Sequence, residues 1–111
     1  MVLTSGSLSP IIQRLAVRLG TDGHVATPVA AATNGCFSGA TDGPMLFGEE
    51  KLRRLSHFAD IAYGRWELFA AYGDHESDGA LLEAARHPVA VSPTRLLLAA
   101  ARAKGWTIRY W

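Results

Sequence analysis

Leu68-Phe69-Ala70-Ala71-Tyr72, followed at once by Gly73-Asp74-His75-Glu76-Ser77-Asp78, is the stretch on which the fold turns. An unbroken apolar run closed by a Gly-Asp turn pair is what a strand buried on both faces of a parallel sheet requires. Parallel neighbours are joined by crossovers, so helices are expected on either side of it in sequence. Downstream, residues 79–86 carry Ala80, Leu81, Leu82, Ala84 and Ala85, which make a short helix, and Pro88-Val89-Ala90-Val91 makes another strand. Ser92-Pro93 then pairs an N-cap serine with a proline at the first helical position, opening a helix through Leu96, Leu97, Ala100 and Ala101 to Gly105. Thr107-Ile108-Arg109-Tyr110 forms a last strand.

Upstream, Gly48-Glu49-Glu50 opens a helix whose early acids suit the positive end of its dipole. Leu52, Leu55, Phe58 and Ala59 share one face, Lys51, Arg53 and Arg54 lie off it, and the end falls at Ala62 to Gly64. Residues 24–43 read as a short strand, turn and strand about Asn34-Gly35, a strong hairpin dipeptide. At the start, Val2-Leu3-Thr4 is the end of a buried strand, and Ser5-Gly6-Ser7 is its loop. Ser9-Pro10 caps a helix with Ile11, Ile12, Leu15 and Leu19 on its apolar face, and Gly20 stops it. Strands thus alternate with helices, and the expected product is an α/β three-layer sheet over a single domain, residues 1–111, with 21–44 as a short hairpin segment. Ligands of such sheets gather beyond the carboxyl ends of the strands, where Ser5-Gly6-Ser7 and Asp74 to Asp78 both fall.

Composition narrows the function further. Eleven Lys and Arg against ten Asp and Glu leave a formal charge of +1, so no field of one sign invites nucleic acid or anionic lipid. No apolar run approaches a membrane span, and Met1 is followed by no basic leader, so a cytoplasmic protein is expected. A single cysteine, Cys36, closes no intrachain disulfide and fits a reducing compartment. Trp66, Trp106 and Trp111 are expected to pack the core, with the cover of an interface as the alternative. His24, His57, His75 and His87 show no metal-ligand spacing to one another.

Taken alone, the 73–78 loop is a turn with a helix cap, Lys51 a solvated cation and Ser5 a turn residue. Asp74 and Asp78, at a strand tip and one helical turn on, can also share a hard cation such as magnesium, which takes oxygen ligands. The ordered set is more telling than its members. A hydroxyl with adjacent backbone N–H groups, an ammonium and a metal-binding carboxylate are the groups a phosphoryl group needs around it.

In that order the chain resembles the haloacid dehalogenase superfamily, in its phosphoserine-phosphatase-like subfamily IB. Val2-Leu3-Thr4-Ser5-Gly6-Ser7 is similar to the family's motif II, Gly48 to Leu55 to motif III, and Tyr72-Gly73-Asp74-His75-Glu76-Ser77-Asp78 to motif IV. The likeness continues through Pro88 to Pro93 and Lys104-Gly105-Trp106. The resemblance implies a Rossmann-like core and hydrolysis of a small phosphorylated metabolite with Mg2+. It implies that Ser5 and Gly6 bind the phosphoryl group, Lys51 neutralises it, Asp74 binds magnesium and Asp78 holds the metal's water shell. His75 stands where the subfamily often has serine, and Ser92 where it often has asparagine.

One motif has no counterpart. The family's reaction starts from an Asp-x-Asp pair, one aspartate attacking phosphorus and the other serving as acid and base. Here aspartates occur at Asp22, Asp42, Asp60, Asp74 and Asp78, and no two are separated by one residue. In the family that pair lies on the central strand, between the strands that here carry Ser5 and Asp74. The resemblance therefore implies a truncated core that is inactive alone, whose parallel sheet lacks its central strand. Buried unpaired backbone groups cost about 1–3 kcal/mol each. Self-association or a complementing N-terminal segment is therefore expected. A binding module that holds phosphate and Mg2+ without turnover, or an interaction domain, is the alternative.

Overall fold

The computed structural model describes residues 1–31, 37–41 and 48–111. They form two compact units, Met1–Phe58 and Ala59–Trp111.

In the first unit, strand β1 (Val2–Leu8) leads directly into helix α1 (Ser9–Leu19), and strand β2 (Gly23–Thr27) returns parallel to β1. Val2, Leu3 and Thr4 pair with Gly23, His24 and Val25, and the register then breaks before Leu8 meets Thr27. Ser5-Gly6-Ser7 is therefore an irregular stretch inside the strand and not a loop beyond it. The first helical residue is Ser9, with Leu8 at the cap and no side chain capping it, so Ser9 is not the N-cap that its proline neighbour suggested. Gly20 ends α1 as expected, in the left-handed conformation at φ 68°, its N–H turned back to the carbonyls of Ala16 and Val17.

The buried face of α1 is Ile12 and Ala16, while Ile11, Leu15 and Leu19 are exposed. The apolar stripe is wider than the surface it meets, since a two-stranded sheet covers only part of one helix face. Strands β3 (Val29–Ala31) and β4 (Phe37–Thr41) form an antiparallel pair, so the expected hairpin exists, but β2 belongs to the parallel sheet. The Asn34-Gly35 turn and Cys36 lie outside the described residues.

Helix α2 (Glu49–Tyr63) runs to the expected end. Leu55 and Ala59 are buried and Leu52 and Phe58 half-buried, as their spacing requires. In its first turn Arg53 pairs with Glu50 through its Nε at 2.8 Å, and that guanidinium holds the Glu50 carboxyl below its ordinary range.

The second unit is a parallel sheet in the order β5 (Ala70–Gly73), β6 (His87–Val91), β7 (Thr107–Arg109), with helices α3 (Gly79–Ala84) and α4 (Arg95–Lys104) as the crossovers. Leu82, Ala90 and Ala101 are fully buried and Leu97 is 1% exposed, so these four side chains mark the core. Burying a leucine stabilises by about 1.5–3 kcal/mol. The expectation of a β5 region buried on both faces fails at Phe69 and Tyr72, which are 63% and 59% exposed. Only Ala71 is buried, because β5 pairs on one side alone, with β6, and leaves its other edge without a strand among the described residues. Trp111 is exposed too, stacked on Tyr72 at 6.1 Å between ring centroids, and Trp66 and Trp106 are half-buried, so the tryptophans do not fill the core.

Ser92 does not cap α4. It takes φ 40°, a left-handed conformation uncommon for serine, and its hydroxyl both accepts from the Trp111 N–H and donates to the Trp111 carbonyl, each at 3.2 Å. The N-cap is Thr94, whose Oγ1 accepts the Leu97 N–H at 3.4 Å. No helix of the described residues is long and apolar enough to cross a membrane.

Candidate functional site

Asp74 stands directly beyond the last residue of β5, and a 3-10 turn over Glu76–Asp78 carries the chain into α3. Asp78 is 7% exposed, and its Oδ2 accepts the N–H groups of Asp74 and His75, each at 3.3 Å. One buried carboxylate therefore folds the loop back on itself and leaves the Asp74 side chain exposed. The fold needs glycine at 73 for this: a Cβ there would lie 2.7 Å from the Cβ of Asp78 and 2.9 Å from Oδ2.

His75 closes the other side of the turn. Its Nδ1 accepts the Ser77 N–H at 3.1 Å, so in the neutral ring the proton sits on Nε2, 3.3 Å from Glu76 Oε1. Glu76 Oε2 accepts the Thr94 hydroxyl at 2.6 Å, which with a backbone N–H and the neighbouring imidazole holds the Glu76 carboxyl below the usual range. The Thr94 N–H donates to the Asp74 carbonyl at 2.9 Å. Glu76 and Thr94 lie eighteen residues apart, a separation at which no local spacing rule signals a pair.

The donor set suits a hard divalent cation, since Asp74 and Asp78 offer carboxylate oxygens and nothing softer. Among the described residues no three His, Cys, Asp or Glu side chains converge into a cage. Magnesium rarely uses one, and binds through one or two carboxylates while keeping waters and taking substrate oxygens.

Ser5, Gly6 and Lys51 belong to the first unit. Ser5 is half-buried in the irregular part of β1, where its Oγ accepts the Ser7 N–H at 3.0 Å. The carbonyl of Gly6 accepts the hydroxyl of Thr27 at 2.9 Å, and Thr27 is wholly buried, so β2 pins this segment from beneath. Thr27 was not legible as a site residue, because its partner lies across the sheet. Lys51 sits in the first turn of α2, its N–H bonded to the Gly48 carbonyl at 3.1 Å. At 8% exposure it is not the solvated cation that its helical position suggests. Ser5 and Gly6 thus share one strand with each other, and Asp74 and Asp78 share one loop.

Comparison with known proteins settles the lineage. The family model of haloacid dehalogenase-like hydrolases matches residues 1–83. The chain belongs to that family. It is 31% identical over 108 residues to an inhibition of morphological differentiation protein of Streptomyces azureus, covering 97% of this chain and 39% of that protein. It is 33% identical over 95 residues to a phosphoserine phosphatase of Mycobacterium tuberculosis, covering 86% of this chain and 30% of the relative. The chain therefore spans well under half the length of these curated relatives.

Among solved structures, a Bordetella pertussis protein of unknown function superposes with a TM-score of 0.85 at 27% identity, over 97% of this chain and 49% of that one. A probable phosphoserine phosphatase from Vibrio cholerae superposes with a TM-score of 0.75 at 22% identity, over 96% of this chain and 32% of that one. The fold is thus a partial haloacid-dehalogenase-type α/β core with parallel sheets.

Proposed function

We propose that this chain carries the phosphate-binding and magnesium-binding part of a phosphomonoester hydrolase of the phosphoserine-phosphatase type, and that it turns nothing over alone. The observation that carries this reading is the 73–78 loop. Its buried Asp78 accepts two backbone N–H groups and so fixes the main chain at Asp74, whose carboxylate stands exposed at a strand's carboxyl end.

In this reading Asp74 binds the metal and Asp78 holds its water shell. A magnesium ion held by them would supply the charge that offsets phosphoryl oxygens. Ser5 and Gly6 hydrogen-bond the phosphoryl group of a small phosphorylated metabolite, and Lys51, buried in the first turn of α2, supplies a cation to it. Attack on phosphorus needs a carboxylate from outside this chain, since no two of its aspartates stand one residue apart. The edge of β5 that has no strand beside it among the described residues, with the exposed Phe69 and Tyr72, supports completion by a further strand, from a complementing segment or a second copy.

The test is hydrolysis of p-nitrophenyl phosphate by the purified chain with and without Mg2+, beside Asp74→Asn, with sedimentation of the same sample. The expected result is no turnover in either protein and concentration-dependent association. Magnesium-dependent turnover that Asp74→Asn abolishes would show a nucleophile within this chain, and a monodisperse monomer would remove the argument for strand completion.

A further inference from the structure

We propose that Thr94 is a positioning residue for the metal ligand Asp74, acting as a joint between the acidic loop and the buried core of α4; this rests on the reading of Asp74 as a metal ligand. Thr94 bonds both to the loop and to the start of α4. Its N–H donates to the Asp74 carbonyl at 2.9 Å, its hydroxyl donates to Glu76 at 2.6 Å, and the same oxygen accepts the Leu97 N–H at 3.4 Å. Leu97 and Ala101, at 1% and 0% exposure, anchor the helix behind it. The main chain of Asp74 is consequently held at both ends, its N–H by Asp78 and its carbonyl by Thr94.

Glu76, the third acid in the loop, is engaged through both oxygens, Oε2 by the Thr94 hydroxyl at 2.6 Å and Oε1 by His75 Nε2 at 3.3 Å. A ligand carried on a loop binds a cation tightly only if the loop is already in place, because ordering it on binding costs conformational entropy. Thr94 supplies that order from a part of the chain remote in sequence.

Titration of the purified chain with Mn2+, followed by the electron paramagnetic resonance of the free ion, separates this role from simple helix capping. Thr94→Ser keeps the hydroxyl and should bind within about two-fold of the parent, while Thr94→Val should bind about ten-fold more weakly, as metal sites do when a supporting partner is lost. Thr94→Asp is the sharper variant. It retains a good helix cap and adds a negative charge that would by itself tighten cation binding, yet it cannot donate to Glu76 and repels it.

Weaker binding in Thr94→Asp as well as Thr94→Val is the expected result. Binding by Thr94→Asp as tight as the parent's, or tighter, would overturn the positioning role while leaving Asp74 as the ligand. Absence of Mn2+ binding in the parent, or binding unaffected by Asp74→Asn, would overturn the metal reading and this proposal with it.

Discussion

At Gly73 the chain turns out of β5 so close to Asp78 that any side chain would stand within 3.0 Å of its Cβ. The atom in the way belongs to the root of the aspartate and cannot swing aside, so Gly73→Ala must displace either the loop or the carboxylate that holds it. A loss of about 1–3 kcal/mol is expected, as for other overpacked positions, read from urea unfolding. An alanine variant as stable as the parent would show that Asp78 is not held against β5. Ser92 is the other residue where local geometry departs from habit, its φ of 40° maintained by two bonds to the backbone of Trp111. Strain of this kind persists only where surrounding structure over-determines it. Here it lies just beyond the carboxyl end of β6, beside β5, which ends at Gly73.

Among the elements, α4 shows how the core divides along a helix: Leu97 is 1% exposed and its neighbour Leu96 is 66% exposed. Leu97→Ala should cost about 2–4 kcal/mol and Leu96→Ala less than about 0.5 kcal/mol in the same unfolding measurement. Equal losses would mean that α4 packs by a different face. The order of strands and helices was legible because apolar period and Gly or Pro punctuation act within a few residues, as at Gly20 and through α2. The helix starts were misread at Ser9 and Ser92, where a Ser-Pro pair imitates a cap. The true cap of α4, Thr94, is also bonded to Glu76 eighteen residues away, which no local rule encodes. The same reason hides Thr27, bonded across the sheet to Gly6, and the burial of Lys51 on α2, which its place in the helical repeat argues against. Phe69 and Tyr72 were misread in the opposite sense, since an apolar run states what a strand would bury and not whether a partner is present to bury it.

On the scale of the whole molecule, residues 1–83 match a hydrolase family while the chain spans 39% or less of the curated relatives it resembles. Both parallel sheets are small, two strands in the first unit and three in the second, and each has edges without a strand among the described residues. On the function proposed above, edges without a strand among the described residues and exposed aromatic side chains such as Tyr72 and Trp111 favour completion by further strand structure. The most direct test of that account is to record backbone amide shifts of the 15N-labelled chain by nuclear magnetic resonance, while Mg2+ and then inorganic phosphate are added. The account predicts that Mg2+ moves the amides of Asp74 and Asp78 and that phosphate moves those of Ser5, Gly6 and Lys51. Shifts confined to other residues, or none at millimolar concentrations of both, would contradict it.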